Sequence, residues 1–374
     1  MGHTDVVTVE PAKWTFPPFA ATRDGGYIYG RGTLDDKPHV VAGLMTLLIL
    51  KRLNVSLDRD VIFLAEAGEE GTTRVGIDFM VREHYPEIDA EYCLAETGTV
   101  TRVDGKVRYA SIQMLEKVSR GIELVATGPS GHGSAPLPGN AITRLSAAVA
   151  ALGNWRIPIR LNETTRQFFT RMAQVAEGPD RERYRAVLTP DSPAAAEADA
   201  AFAAREPRYA SMLRTSISPT IISGGIRSNV IPSEARARLD VRMLPDEDPV
   251  QFLEQVRRVI NDPAVVARFT NDSSRPVAAA AQVDSEAFRA IESAVARYYD
   301  TVTIPMMSTG ATDMAQVRSK GQQCYGIGPA TDMEDVVKGF AAHSDQERIL
   351  EAELHRFVQF SYDIVATLAR SRAN

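Results

Sequence analysis

Cysteine is scarce: Cys93 and Cys324 are the only two in 374 residues. Two are too few for a disulfide framework, and they lack the paired spacing of a structural zinc site. Positive charge is in deficit, with 42 Lys and Arg against 48 Asp and Glu and a formal charge of −6. No run of basic residues stands out, so neither nucleic acid nor an anionic membrane is expected as a partner. Long apolar runs are missing as well. The longest, Val40 to Leu50, falls well short of the roughly 20 residues a helix needs to cross a bilayer, and it reads as a buried core helix. The opening Met1-Gly2-His3-Thr4-Asp5 has neither the charged nor the apolar region of a secretion signal, which points to a cytoplasmic protein. There is no His-Glu-x-x-His helix, no Gly-x-Ser-x-Gly elbow and no phosphate-cradling Gly-x-x-x-x-Gly-Lys loop, which removes the commonest single-motif enzymes.

With 44% apolar and 24% charged residues, the chain has the means to bury a large core, and its length suggests two domains. Apolar runs at 60–65, 91–95 and 322–327 read as strands. They alternate with helical patterns near 38–53, 73–84, 285–299 and 345–370. This is the pattern of an α/β domain with a mainly parallel sheet flanked by helices. Residues 121–127 and 235–243 instead alternate with period two, as half-exposed antiparallel strands do. An inserted α+β domain over 118–275 is the simplest account, leaving 1–117 and 276–374 as the main domain. Residues 160–210, rich in Arg, Glu and Ala and broken at Thr189-Pro-Asp-Ser-Pro193, add a helical segment to the insertion.

The chemistry rests on acidic residues and histidines near strand ends. His3 and Asp5 stand two apart, so on an extended backbone both point to one face, one to bind a metal and the other to orient it. A surface loop is the bland alternative. The run Gly30-Arg-Gly-Thr-Leu-Asp-Asp-Lys-Pro38 is a sharp turn before a helix. Asp36 suits an N-cap there, whereas the turn aims Asp35 inward. Glu69 and Glu70 follow a strand where a parallel sheet opens its crevice. They are either a hydrated loop pair or a metal ligand beside a proton-accepting base. Glu96 ends the strand at 91–95, and His343 precedes the last helix.

Together these motifs resemble the zinc-dependent metallohydrolases that include carboxypeptidases, aminoacylases and succinyl-diaminopimelate desuccinylase. That family carries Gly-His-x-Asp, Gly-Arg-Gly-x-x-Asp-x-Lys, a Glu-Glu pair, a lone acid and a late His in this order. Here they are His3/Asp5, Asp35, Glu69/Glu70, Glu96 and His343. The likeness continues through 128–136, 228–234 and 308–313. Residues 14–19, 30–37 and 212–225, with the helical addition, look most like the carboxypeptidase S and N-acyl-amino-acid hydrolase branch.

The resemblance implies two zinc ions per chain bridged by Asp35, one completed by His3 and Glu96, the other by Glu70 and His343. Cobalt or manganese suits the same donors. Three protein ligands per ion leave room for a shared water. Glu69 takes that water's proton and passes it to the leaving amine, while Asp5 holds the His3 ring in its ligating tautomer. His132 steadies the oxyanion from the inserted domain, often across a dimer, so a homodimer is implied. Arg242 grips a substrate carboxylate, and Asn229 and Thr312 make polar contacts near the substrate. Outside the resemblance, His132 would be a loop residue and Arg242 an exposed strand arginine like Arg236 and Arg238.

The chain departs from the pattern in having Pro38 where glycine is usual and Ala67-Gly68 before the Glu pair. It also opens directly on Gly-His-x-Asp, which predicts a frayed, weakly anchored His3. The function expected is cleavage of an amide bond next to a free carboxylate, in dipeptides, C-terminal residues of short peptides or N-acyl amino acids. A deacylase of succinyl- or acetyl-diamino acids, and a non-catalytic relative with impaired metal binding, are the rivals.

Overall fold

The computed structural model describes residues 1–270 and 275–371. The period-3.6 runs become helices: Lys37–Arg52 opens with a proline in its first turn and ends on Lys51 and Arg52, which suit the negative end of the helix dipole. Its buried positions Pro38, His39, Ala42, Thr46 and Leu50 form one face. Ser285 caps Glu286–Tyr299 by accepting the Phe288 N–H, and the long Glu351–Ala369 helix closes the chain. Among the described residues no helix is long and apolar enough to cross a membrane.

The main sheet runs Ala330–Asp332, Thr99–Val103, Lys106–Glu116, Gln323–Gly326, Tyr92–Ala95, with Thr303–Ser308 also paired to Lys106–Glu116. It is mixed, with parallel pairs at 330–332/99–103, 303–308/106–116 and 323–326/92–95. Antiparallel pairs join 106–116 to 99–103 and to 323–326. One face packs Ile112, Met114 and Tyr325 against Phe288, Ile291, Phe357 and Phe360 of the two long helices. The other is covered by Ile77, Met314 and Val317.

The strand expected over 60–65 is shorter: only Ala65–Glu66 pairs, in parallel with Gly2–His3. Upstream, Val61, Phe63 and Leu64 are held away from Tyr92, Cys93 and Leu94 by a cavity of about 820 Å³. A strand exists only where a neighbour completes its hydrogen-bond ladder.

The second sheet is antiparallel, in the order Ser216–Gly224, Glu234–Met243, Val118–Thr127, Val265–Phe269. Ala235, Ala237, Leu239, Val241 and Met243 point inward, as their alternation requires. They meet Leu145 and Leu152 of Ala141–Asn154 and Phe252 and Val256 of Pro249–Ile260. Within the helical segment, Glu163–Val175, Gly178–Ala186, Pro193–Arg205 and Pro207–Met212 bury Phe168, Phe169, Tyr184 and Phe202. This cluster packs on Leu115, Ile304, Met306 and Met307 of the main sheet. The segment therefore lies inside the expected insertion in sequence but packs on the first sheet in space.

Candidate active site and metal centre

The turn that carries Asp35 is built around a buried acid, Glu347. Its carboxylate accepts from Arg31 Nη1 at 2.8 Å and from the backbone N–H of Gly32, Leu34 and Asp35 at 3.1, 2.7 and 3.2 Å. Gly32 sits at φ +84°, and a Cβ there would lie 2.7 Å from Val6 Cγ1, so the turn needs glycine on both counts. The Asp35–Asp36 peptide is cis. Asp36 does not act as the expected N-cap. Its Oδ2 accepts the His3 N–H at 3.3 Å and its Oδ1 pairs with His39 Nδ1, whose ring is fixed by Ile327 O at 2.9 Å.

His3 is not frayed. It is buried, pairs with Glu66 in the short parallel ladder, and is flanked by bonds from Met1 N to Leu94 O and from Gly2 N to Leu64 O. Its Nε2 lies 2.9 Å from Asp35 Oδ1. Nδ1 is 3.0 Å from the main-chain oxygen of Asp5 and 3.6 Å from the Asp5 carboxylate. The carbonyl thus orients the ring, and the carboxylate expected to do so is occupied elsewhere. Asp5 Oδ1 accepts from the N–H of Gly68 and Glu69 at 2.8 and 3.3 Å, and Oδ2 from Glu70 at 3.2 Å, which fixes the backbone of the acidic loop.

Glu96 is delivered by the end of the 92–95 strand. A Cβ on Gly326 would lie 2.2 Å from Glu96 O, so the neighbouring strand can approach only because it carries no side chain there. His343 Nε2 lies 2.9 Å from Glu70 Oε1 and 3.2 Å from Asp35 Oδ2. Two groups result, His3/Asp35/Glu96 and Asp35/Glu70/His343, each with its ligand atoms within 4.8 Å of one another and sharing Asp35.

Electrostatics describe a site short of positive charge. Burial opposes a charged His3, but the Asp35 hydrogen bond and the charges of Asp36, Glu96 and Asp35 outweigh it and hold the ring at about 10. Burial also works against an ionised Asp35, yet the His3 hydrogen bond and the charges of the nearby histidines keep it below the usual carboxylate range. Burial, then Asp36, Glu69 and Asp35, push Glu96 well up; burial and Asp35 raise Glu70. Carboxylates and imidazoles that compete for protons in this way are a donor set suited to divalent cations, with three ligands to each and one shared.

Glu69 accepts from Arg275 Nη2 at 2.5 Å, and Arg275 Nη1 reaches Asp313 Oδ1 at 2.8 Å. Asp313 faces Glu66, whose carboxyl is raised by burial and by that neighbour's charge. The other sequence candidates make their hydrogen bonds elsewhere. His132 is exposed, its Nδ1 accepting from Ser134 N at 3.1 Å, and it pairs with Val230 beside Asn229, whose oxygen accepts from Gly133 N. The Arg242 fork, expected to hold a substrate, is engaged by Asp240 at 2.8 and 3.1 Å. Thr312 does not face an open cleft. It is buried, and its hydroxyl donates to Glu116 Oε2 at 2.7 Å. The cavity of about 820 Å³ between 59–64 and the 92–95 strand is lined by none of the carboxylates of the two triads.

Glu347, His39 and Arg275 were not singled out from sequence. For His39 a signal existed, since it follows Asp36 at i+3 on a helix start. Glu347 and Arg275 carry none, because their partners are far away in the chain.

Comparison with known proteins matches residues 1–367 to a family model described as peptidase family M20/M25/M40. A Dictyostelium discoideum protein named probable carboxypeptidase S-like 2 is 28% identical over 376 residues, 97% of this chain and 70% of that protein. A Xenopus tropicalis protein named N-fatty-acyl-amino acid synthase/hydrolase PM20D1 is 26% identical, over 98% of this chain and 71% of its own length. Among solved structures, the M20 family metallo-carboxypeptidase Sso-CP2 of Sulfolobus solfataricus shares the fold, with a TM-score of 0.67 at 22% identity, covering 97% of this chain and 83% of that one.

Proposed function

The chain belongs to the M20/M25/M40 peptidase family, and from that premise we propose that it is a binuclear zinc hydrolase cleaving an amide bond next to a free carboxylate. Its substrates are dipeptides, C-terminal residues of short peptides or N-acyl amino acids. The observation that carries this reading is the pair of ligand groups meeting at Asp35.

His3, Asp35 and Glu96 would hold one ion, and Asp35, Glu70 and His343 the other. When bound, the ions supply Lewis acidity toward the scissile carbonyl and a water acidic enough to ionise near neutral pH. Glu69, beside the ligand Glu70 but not itself in either group, accepts the water's proton at its carboxylate and returns it to the leaving nitrogen. Asp5 keeps Glu69 and Glu70 on their separate tasks by holding their backbone N–H groups. Residues 1–117 and 276–374 form the catalytic domain under this reading, and 118–275 a lid that carries His132, Asn229 and Arg242 toward the substrate. Arg242 would exchange Asp240 for the substrate carboxylate, a bidentate match of the same kind. Thr312 supports the site by fixing Glu116.

The reading includes a homodimer through the second sheet. The edge strand Ser216–Gly224 exposes Ile221 and Ile222, and the loop after it Ile226, a patch and an unpaired edge that invite a second copy.

The test is turnover by the zinc-loaded protein on a panel of dipeptides, N-acyl amino acids and N-succinyl-diamino acids, with Glu69→Gln in parallel. Hydrolysis of the first two classes, reduced about 10²- to 10⁴-fold in the variant, is the expected result. Preference for succinyl-diamino acids would move the substrate assignment, and full activity in Glu69→Gln would remove its role as base.

A further inference from the structure

Glu69 poses a physical problem that Asp5 does not solve. Asp5 reaches only the backbone of the 68–70 loop, so it leaves the Glu69 side chain free to rotate. Around that side chain stand Glu70, Glu96 and Asp313, whose charges favour its turning away. Glu70 is restrained by His343. The corresponding restraint on Glu69 is Arg275, which lies on the run leading from the second sheet back to the helix Glu286–Tyr299.

We propose that Arg275 is a positioning residue that fixes the Glu69 carboxylate for proton transfer. The inference rests on the hydrolase reading above. One guanidinium nitrogen, Nη2, grips Glu69 twice, at Oε1 (2.5 Å) and at the main-chain oxygen (3.3 Å). The other, Nη1, is anchored on Asp313 Oδ1 at 2.8 Å, immediately before the helix Met314–Arg318. The fork therefore ties the acidic loop to a second, rigid point of the domain. All three side chains are largely withdrawn from water, at 15% exposure for Arg275, 10% for Glu69 and 3% for Asp313, so solvent screens the contacts little. An arginine suits this place because it stays charged at every working pH and holds two acceptors in fixed directions. A lysine would supply the charge but not the fork. Arg275 makes no hydrogen bond to the five ligand side chains, so its removal leaves the metal groups their own contacts and releases the base together with Asp313.

The experiment uses the zinc-loaded protein with the best substrate of the panel. Arg275→Ala is expected to lose about 10²-fold in kcat, the scale of a misplaced reacting group. KM should stay within about threefold, and metal content should equal that of wild type by elemental analysis. Millimolar guanidinium, too dilute to unfold the protein, should restore part of kcat in Arg275→Ala and none in Glu69→Gln. Arg275→Lys should fall between Arg275→Ala and wild type. Unchanged kcat in Arg275→Ala would overturn the proposal. So would a loss that follows metal content, or one that neither guanidinium nor lysine recovers, since either would make Arg275 a structural support. An inactive wild type would instead strike the hydrolase reading itself, which keeps the two failures apart.

Discussion

Removing the Glu347 carboxylate tests the architecture of the site most severely. The acid is fully buried and opposes a buried Arg31 at 2.8 Å. It also receives three backbone N–H groups from the turn that presents Asp35. Glu347→Ala leaves an unpaired guanidinium and three unsatisfied donors in a site from which water is excluded. Breaking a buried pair from one side costs about 3–5 kcal/mol. At roughly 2–4 °C per kcal/mol for a domain of this size, the midpoint of thermal unfolding should fall by about 6–20 °C. Glu347→Gln keeps an acceptor for Leu34 and Asp35 but turns a donor toward Arg31 and Gly32, so it should be destabilised too, by roughly 2–3 kcal/mol. Because Arg31 Nη2 also reaches His343 O at 3.4 Å, both variants should bind metal more weakly as well as unfold earlier. Differential scanning fluorimetry with and without zinc reads both effects. A midpoint within about 2 °C of wild type in Glu347→Ala would refute the claim that this acid organises the turn.

Three further outcomes follow from named contacts. Asp5→Asn replaces one of the oxygens that hold the 68–70 backbone with a donor, and kcat/KM should drop about 10- to 100-fold with the fold intact; steady-state kinetics and circular dichroism together check it. Lys117 is fully buried, its ammonium donating to Ser211 and Ser216. Burial, then Arg242 and Arg214, push its pKa down to about 7 from 10.5. The unfolded chain therefore holds this proton more tightly, and its contribution to stability rises with pH across that window. Lys117→Met should flatten the rise, so parallel urea titrations at the two ends that give equal slopes for both proteins would contradict the assignment. Ile222→Glu puts a charge on the exposed edge strand, and sedimentation should show a dimer for wild type and monomers for the variant; a monomeric wild type would contradict the proposed dimer.

Sequence periodicity located the long elements because burial on one face is a repeating demand. Helix 286–299 buries Phe288, Ile291 and Val295, and strand 234–243 buries every second residue. It overreached at 61–63, where Val61, Ile62 and Phe63 line a cavity in place of a ladder partner. The five proposed ligand side chains were picked out because they fall in an ordered series of motifs shared with a known family, in which Glu96 and His343 stand as single residues with little local pattern of their own. Asp5 and Asp36 were identified, but their partners were not: which acceptor meets which N–H depends on how distant turns approach. Glu347 and Arg275 are the extreme case. A lone acid and a lone arginine look ordinary until folding brings Glu347 to Arg31 across 316 positions and Arg275 to Glu69 across 206.

The central claim is that Asp35 joins two metal groups in one chain. The most direct test is elemental analysis of the purified, zinc-loaded protein beside Glu96→Ala, which removes a ligand from one group only. The account predicts close to two zinc ions per chain in wild type and close to one in the variant. One ion or none in wild type, or two retained in Glu96→Ala, would contradict it.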